Sequence, residues 1–155
     1  MMELPLSATT ASAEETEGLG RDLAACFAET DCQLPPFIAM YGDLGVGKTA
    51  FVRGFASLLS PNSLVRSPTF ALVNEYRGSR PLFHFDMYRI ESEEDLWSIG
   101  YDDYLSRGIC LVEWSENIPF ALPDEYLQVT VEKCPDEGET IRKITILWKK
   151  ESSSC

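Results

Sequence analysis

A chain of 155 residues, 45% hydrophobic and 25% charged, fits one soluble domain with a sizeable core. Its formal net charge is −12, from 25 acidic against 13 basic side chains. That balance argues against direct, dominant binding to nucleic acid, which needs a basic surface, and favours a basic protein partner. No apolar run approaches the length of a membrane span, and Met1-Met2-Glu3-Leu4-Pro5 lacks the basic start and apolar core of a secretory signal. The expectation is a cytoplasmic protein. The five cysteines form no C-x-x-C pair and the only histidine is His84, so neither a zinc site nor a disulfide framework is expected. Cys26 and Cys110 sit in apolar stretches and read as small core residues.

Residues 1–11 are expected to be loosely ordered. Ser12 to Glu29 reads as a helix, with Leu19, Leu23, Cys26 and Phe27 on one face. Ser12 is its N-cap, and Glu15 stands three places on, the spacing of a capping box. Pro35-Pro36 separates this helix from Phe37-Ile38-Ala39-Met40-Tyr41, a short apolar run of the buried-strand kind. Phe51, Phe55, Leu58 and Leu59 then fall at helical spacing, so a helix is expected to reach Leu59.

Between that strand and that helix lies Gly42-Asp43-Leu44-Gly45-Val46-Gly47-Lys48-Thr49, which matches G-x-x-x-x-G-K-[ST] at every fixed position. Gly42, Gly45 and Gly47 let the backbone turn several N–H groups toward one anion. The following helix adds unpaired N–H groups and the positive end of its dipole. Lys48 is placed to reach terminal phosphates as a point charge. Thr49 is placed to put its hydroxyl on a magnesium ion bridging them.

Ser60-Pro61-Asn62-Ser63 ends the helix, and a loop is expected over Val65 to Phe70, because Pro68 pushes Ser67 from helical geometry. A threonine there, Thr69, fits a segment that senses a terminal phosphate; an ordinary turn is the plainer reading of Ser67-Pro68-Thr69 taken alone. Phe70 to Tyr76 and Leu82 to Phe85 read as a hairpin turned by Arg77-Gly78-Ser79-Arg80-Pro81, delivering Asp86 at its end. Glu91 to Leu105 reads as two short helices broken at Gly100. Gly108-Ile109-Cys110-Leu111-Val112 is a buried strand that ends on Glu113-Trp114. Tyr126 to Glu132 and Ile141 to Trp148 alternate as half-buried strands do, joined by a turn over Lys133 to Thr140. Residues 149–155 are expected to be loosely ordered, with Glu151 to Cys155 a polar tail that frays.

Two apolar strands therefore end on a carboxylate, Asp86 and Glu113. If both run parallel to Phe37–Tyr41, the two acids and the glycine-rich loop converge beyond one sheet edge, where α/β sheets bind ligands. One carboxylate would then ligate magnesium and the other position water. Each acid could instead cap the segment after it. Trp114 either stacks on a base, covers the site or simply packs. His84 reads as a hydrogen-bonded core residue rather than a catalyst.

Taken in order, GDLGVGKT, Ser67-Pro68-Thr69-Phe70, His84-Phe85-Asp86-Met87-Tyr88-Arg89 and Leu111-Val112-Glu113-Trp114 resemble the bacterial TsaE (YjeE) family, small P-loop ATPases of tRNA threonylcarbamoyladenosine biosynthesis. The resemblance runs from about Glu14 to the last strand. It implies a three-layer P-loop NTPase-like α/β fold with a mixed central sheet, and ATP hydrolysis with magnesium. It implies two protein partners, TsaB and TsaD, which carry out the threonylcarbamoyl transfer and which the ATPase resets or regulates. Carried over by motif, Thr49 and Glu113 bind magnesium, and Asp86 is the acid near the attacking water. Lys48 and Thr69 also act in the chemistry, Thr69 as the switch-loop threonine. Trp114 lies beside the nucleotide. Glu15, Thr16 and Arg142 border the nucleotide in the family's arrangement. Arg66 and Arg89 are in-chain candidates to stabilise the transition state.

Two other readings remain beside an accessory ATPase. A small-molecule kinase would want an arginine-rich lid, and no such stretch appears. A nucleotide-sensing module would bind ATP to control assembly without hydrolysing it.

Overall fold

The computed structural model describes residues 2–42, 47–68, 72–78 and 80–150. They form a seven-stranded mixed sheet in the order β1-β7-β6-β2-β5-β4-β3. In chain order the elements are β1 (Leu6–Thr10), α1 (Ala13–Ala28), β2 (Phe37–Tyr41), α2 (Lys48–Leu59), β3 (Val73–Tyr76) and β4 (Leu82–Asp86). There follow α3 (Glu93–Ser98), α4 (Tyr101–Leu105), β5 (Ile109–Glu113), two 3-10 turns, β6 (Glu125–Lys133) and β7 (Arg142–Lys150).

The strands β6, β2, β5 and β4 are neighbours and run parallel. The chain reverses at both flanks, where β7 and β1 on one side and β3 on the other pair antiparallel. Strand alternation divides the core into two layers. Ile38, Met40, Leu82, Ile109, Leu111 and Leu127 face α1 and α2. Phe37, Ala39, Phe83, Phe85, Cys110 and Val112 face the other side, with Leu96 and Tyr101 of the short helices. The fold is thus the expected three-layer α/β arrangement. Phe83 and Phe85 meet Tyr104 edge-on at 4.9 and 5.3 Å between ring centres, a geometry worth about 1 kcal/mol beyond burial. Cys26 and Cys110 are buried as expected, and burial pushes the Cys110 thiol up to about 12.

Local signals placed most elements correctly. Ser12 caps α1: its Oγ accepts from Glu15 N at 3.2 Å, while Glu15 Oε1 accepts from Ala11 N at 3.1 Å. Gly100 takes φ +73 between α3 and α4, a left-handed turn that glycine adopts without strain. One expectation is corrected. Residues 6–10 are not loose but form β1, which pairs with β7 from Leu6↔Ile146 to Thr10↔Arg142. The segment is too short and polar to read as a strand by itself; the open edge of β7 supplies its hydrogen bonds. The last strand also extends past Trp148, with Lys149 and Lys150 paired to β6. The tail from Glu151 lies outside the described residues.

Helices α1 and α2 pack unusually close because two glycines face the opposing backbone. A methyl added at Gly54 would fall 1.8 Å from the Glu17 carbonyl oxygen, and at Gly20 2.1 Å from that of Phe51. Gly54→Ala should therefore lower the free energy of unfolding by about 2 kcal/mol, the overpacking outweighing about 1 kcal/mol of helix propensity. Urea denaturation checks this; unchanged stability would mean that α2 can move away freely.

Candidate functional site

The strand ends place the acids as the sequence required. Asp86 closes β4 and Glu113 closes β5, and they are direct neighbours across that parallel pair. Alternation puts Leu82, His84 and Asp86 on the α2 side, together with Ile109, Leu111 and Glu113. Both carboxylates are about 5% exposed.

Helix α2 begins on Lys48, and Gly47 before it takes φ +114, a backbone turn that a side chain would strain. Thr49 Oγ1 donates to Glu113 Oε2 at 3.2 Å, joining the helix start to the end of β5. The Lys48 ammonium is buried, donates to the Gly42 carbonyl, and sits 3.8 Å from the centre of the Trp114 ring. A cation over an aromatic face is held by the ring quadrupole. Trp114 can lie there because its backbone is left-handed, φ +61, which turns the chain sharply out of β5. Its ring also meets Tyr88, at 4.9 Å between ring centres, and packs against the core layer of Phe85 and Val112. Trp114 thus lies against the Lys48 ammonium at the start of α2, and its positive φ stores a little strain in doing so.

Asp86 Oδ1 accepts from Tyr88 N at 2.9 Å, so it also shapes the turn after β4. Leu72, another left-handed residue at φ +68, accepts from Asp86 N at 3.0 Å through its carbonyl. The segment returning into β3 is in this way tied to the acid. Asp43, Leu44, Gly45, Val46 and Thr69 lie outside the described residues.

His84 is fully buried, as a core residue should be, but its partner makes it part of the site. Its Nε2 bonds Glu113 Oε2, and its Nδ1 lies 2.9 Å from the Tyr76 hydroxyl. Burial pushes the Tyr76 phenol above its ordinary value, so the hydroxyl keeps its proton at neutral pH. Sequence reasoning missed both this link and Glu116, whose carboxylate accepts from Gly42 N at 3.4 Å. The available signal was the alternation of β4, which puts His84 on the face of Asp86.

A cavity of about 380 Å³ opens between the start of α1 and the start of α2, lined by Ser12, Thr16, Gly47, Thr140 and Arg142 among others. Its size suits a small-molecule group. Thr16 and Arg142, expected at the nucleotide, both line this cavity, as does Gly47. The Thr16 hydroxyl is buried and bonds Thr10 Oγ1 at 2.8 Å. Arg142 Nη1 donates to the carbonyls of Glu139 and Ile141 at 2.7 and 3.0 Å. Glu15 is not in the lining; its carboxylate serves the capping box. A second cavity, about 370 Å³ beside Cys26, Cys32, Leu34 and Trp148, contains none of the expected site residues.

The donor set tests whether magnesium fits. Thr49 and Glu113 offer hard oxygens in contact, with Asp86 alongside, which suits magnesium better than zinc. Among the described residues no group of three or more His, Cys, Asp and Glu could hold a metal alone. Magnesium sites at nucleotides commonly use one or two protein oxygens and complete the shell with phosphate and water.

The sheet order, the glycine-rich loop before α2 and the acids at adjacent strand ends define a P-loop-type α/β protein. Residues 10–144 match the family model described as "Threonylcarbamoyl adenosine biosynthesis protein TsaE". The chain belongs to the TsaE family. It is 40% identical over 134 residues to the tRNA threonylcarbamoyladenosine biosynthesis protein TsaE of Bacillus subtilis, covering 85% of this chain and 80% of that protein. The Nostoc protein of the same name is 41% identical over 114 residues, covering 70% of this chain and 68% of its own. Among solved structures, Bacillus subtilis YdiB matches with a TM-score of 0.70 and 34% identity, over 94% of this chain and 86% of that one. No helix among the described residues is long and apolar enough to cross a membrane.

Proposed function

We propose that this chain is a magnesium-dependent ATPase that serves the cytoplasmic machinery making threonylcarbamoyladenosine in tRNA, resetting or regulating partners of the TsaB and TsaD type. The observation that carries this reading is the contact of Thr49 with Glu113 at 3.2 Å, beside Asp86 and the buried Lys48. It joins phosphate-binding and metal-binding groups from residues far apart in the chain. Family membership supplies the pathway.

In this reading the α2 start and the Lys48 ammonium bind and orient the phosphates of ATP. Thr49 and Glu113 hold the magnesium ion, whose chemistry is to offset charge on the phosphate oxygens. Asp86 positions water in line with the terminal phosphate. Trp114 shields the phosphate side from solvent. Thr16 and Arg142 border the adenine or ribose end through the cavity at Gly47. The acidic surface suits a protein that reaches tRNA only through partners.

The test is phosphate release from ATP with and without magnesium, and with and without purified TsaB and TsaD from the same source. Magnesium-dependent release that the partners stimulate is the expected result. No release in any condition, with ATP still bound, would replace the ATPase by a nucleotide-sensing module. A phosphorylated acceptor would indicate a kinase.

A further inference from the structure

We propose that His84 is a positioning residue: braced by Tyr76, it holds the Glu113 carboxylate in the orientation that receives the metal. The inference rests on reading Thr49 and Glu113 as the metal site.

The geometry begins with a buried carboxylate at a strand end. Glu113 has few ways to be satisfied there, because β5 is covered on both faces. Its Oε2 meets two donors, Thr49 Oγ1 from α2 and His84 Nε2 from β4. An ionised carboxylate only accepts, so Nε2 carries a hydrogen and donates. Thr49 Oγ1 also comes within 3.5 Å of Oε1, and the two donors together settle the rotation of the carboxylate.

The imidazole itself is oriented from behind. Its Nδ1 faces the Tyr76 hydroxyl, and the Tyr76 and His84 rings lie 5.9 Å apart at a tilt of 47°. Tyr76 sits on β3, antiparallel to β4, so the hydroxyl reaches back along the sheet. Its far side meets the loop that follows α2. Both backbone groups of Arg66 come within reach, the carbonyl at 3.2 Å and the N–H at 3.4 Å. Asn74 Nδ2 also donates to that carbonyl, at 3.1 Å. The single Tyr76 hydroxyl hydrogen serves one acceptor at a time; given to His84 Nδ1, it leaves the phenol oxygen to accept from Arg66 N, and a line of polar contacts runs from Thr49 through Glu113, His84 and Tyr76 to Arg66. Its middle, Glu113, His84 and Tyr76, is buried on the α2 side of the sheet, and its end at Arg66 reaches the surface.

A bland alternative is that His84 merely fills space and satisfies itself. Leucine would fill much of that space. Against that reading, a core position between Leu82 and Asp86 could be apolar at no cost. A buried imidazole is worth keeping where both nitrogens have partners, and one partner here is the metal-site carboxylate.

The experiment compares the whole chain with His84→Leu, His84→Gln and Tyr76→Phe, each checked for native folding by circular dichroism and thermal melting. Mn2+ is the probe. Its affinity is measured by electron paramagnetic resonance with a saturating non-hydrolysable ATP analogue, and analogue affinity without metal is measured by calorimetry. His84→Leu is expected to weaken Mn2+ binding about tenfold or more, with metal-free analogue affinity unchanged. His84→Gln keeps an amide donor for Glu113 and should stay within about threefold of the wild type. Tyr76→Phe should lose a few-fold, since the brace is gone but the donor remains. A folded His84→Leu with wild-type Mn2+ affinity would overturn the inference, as would His84→Gln no better than His84→Leu. Should His84→Leu fail to fold, wild-type Mn2+ affinity in Tyr76→Phe overturns it. A wild-type protein that holds no Mn2+ with the analogue would instead remove the metal-site reading itself, which is a distinct result.

Discussion

Lys48→Ala should lower ATP affinity by about 100-fold while the protein remains folded. The expectation follows from where the ammonium sits. It is the first residue of α2, nearly buried, with its charge against the Gly42 carbonyl and the Trp114 ring. A buried cation costs free energy unless partners compensate, and neither a carbonyl nor a ring face carries a full opposite charge. Phosphate oxygens are better partners, so ligand binding gains a charge-assisted bond worth about 1.5–3 kcal/mol, or roughly 10- to 150-fold in affinity. Truncation also leaves the Gly42 carbonyl one donor short, a cost of about 1 kcal/mol to folding. Calorimetric titration with ATP and magnesium reads the first effect and urea denaturation the second. ATP affinity within about twofold of the wild type would remove Lys48 from phosphate binding.

Asp86→Asn should leave ATP affinity close to the wild type and cut turnover about 100-fold or more, the scale of a lost acid–base group. Asparagine is the informative change. Its carbonyl oxygen can still accept from Tyr88 N, as Asp86 Oδ1 does at 2.9 Å, so the turn after β4 persists. What disappears is the negative charge that would orient and polarise water. Asp86→Ala removes both, and should match Asp86→Asn in turnover while adding about 1 kcal/mol of instability from the lost turn bond. Single-turnover phosphate release and thermal melting separate the two contributions. Undiminished turnover in Asp86→Asn would limit Asp86 to shaping that turn, the capping role that the sequence also allowed.

These tests bear on residues whose chemistry was legible early, and the reason is local. The glycine-rich loop is eight contiguous residues with a strand before and a helix after. The capping box of α1 spans four positions. An apolar run that stops on a carboxylate announces a strand end at a sheet edge, and both such runs, at Asp86 and Glu113, lie in strands parallel to β2, β5 directly beside it and β4 one strand further out. The short helices broken at Gly100 were visible for the same reason, because glycine takes a left-handed turn readily.

What the chain's own order determined, then, is which residues are candidates for the chemistry and which elements carry them: short-range patterns of glycine, apolar spacing and caps act within a few residues. Only the tertiary structure decided how they meet. Thr49 and Glu113 are 64 residues apart, and His84 and Glu113 are 29 apart. Their contact depends on β5 settling between β2 and β4, and on α2 packing over that face beside α1, which Gly20 and Gly54 let it approach closely. Residues 6–10 became a strand only because β7 offered an edge. His84 looked like a core residue and is one; that its imidazole holds the Glu113 carboxylate is a matter of strand register, which hydrogen bonds between distant segments set and no local pattern encodes.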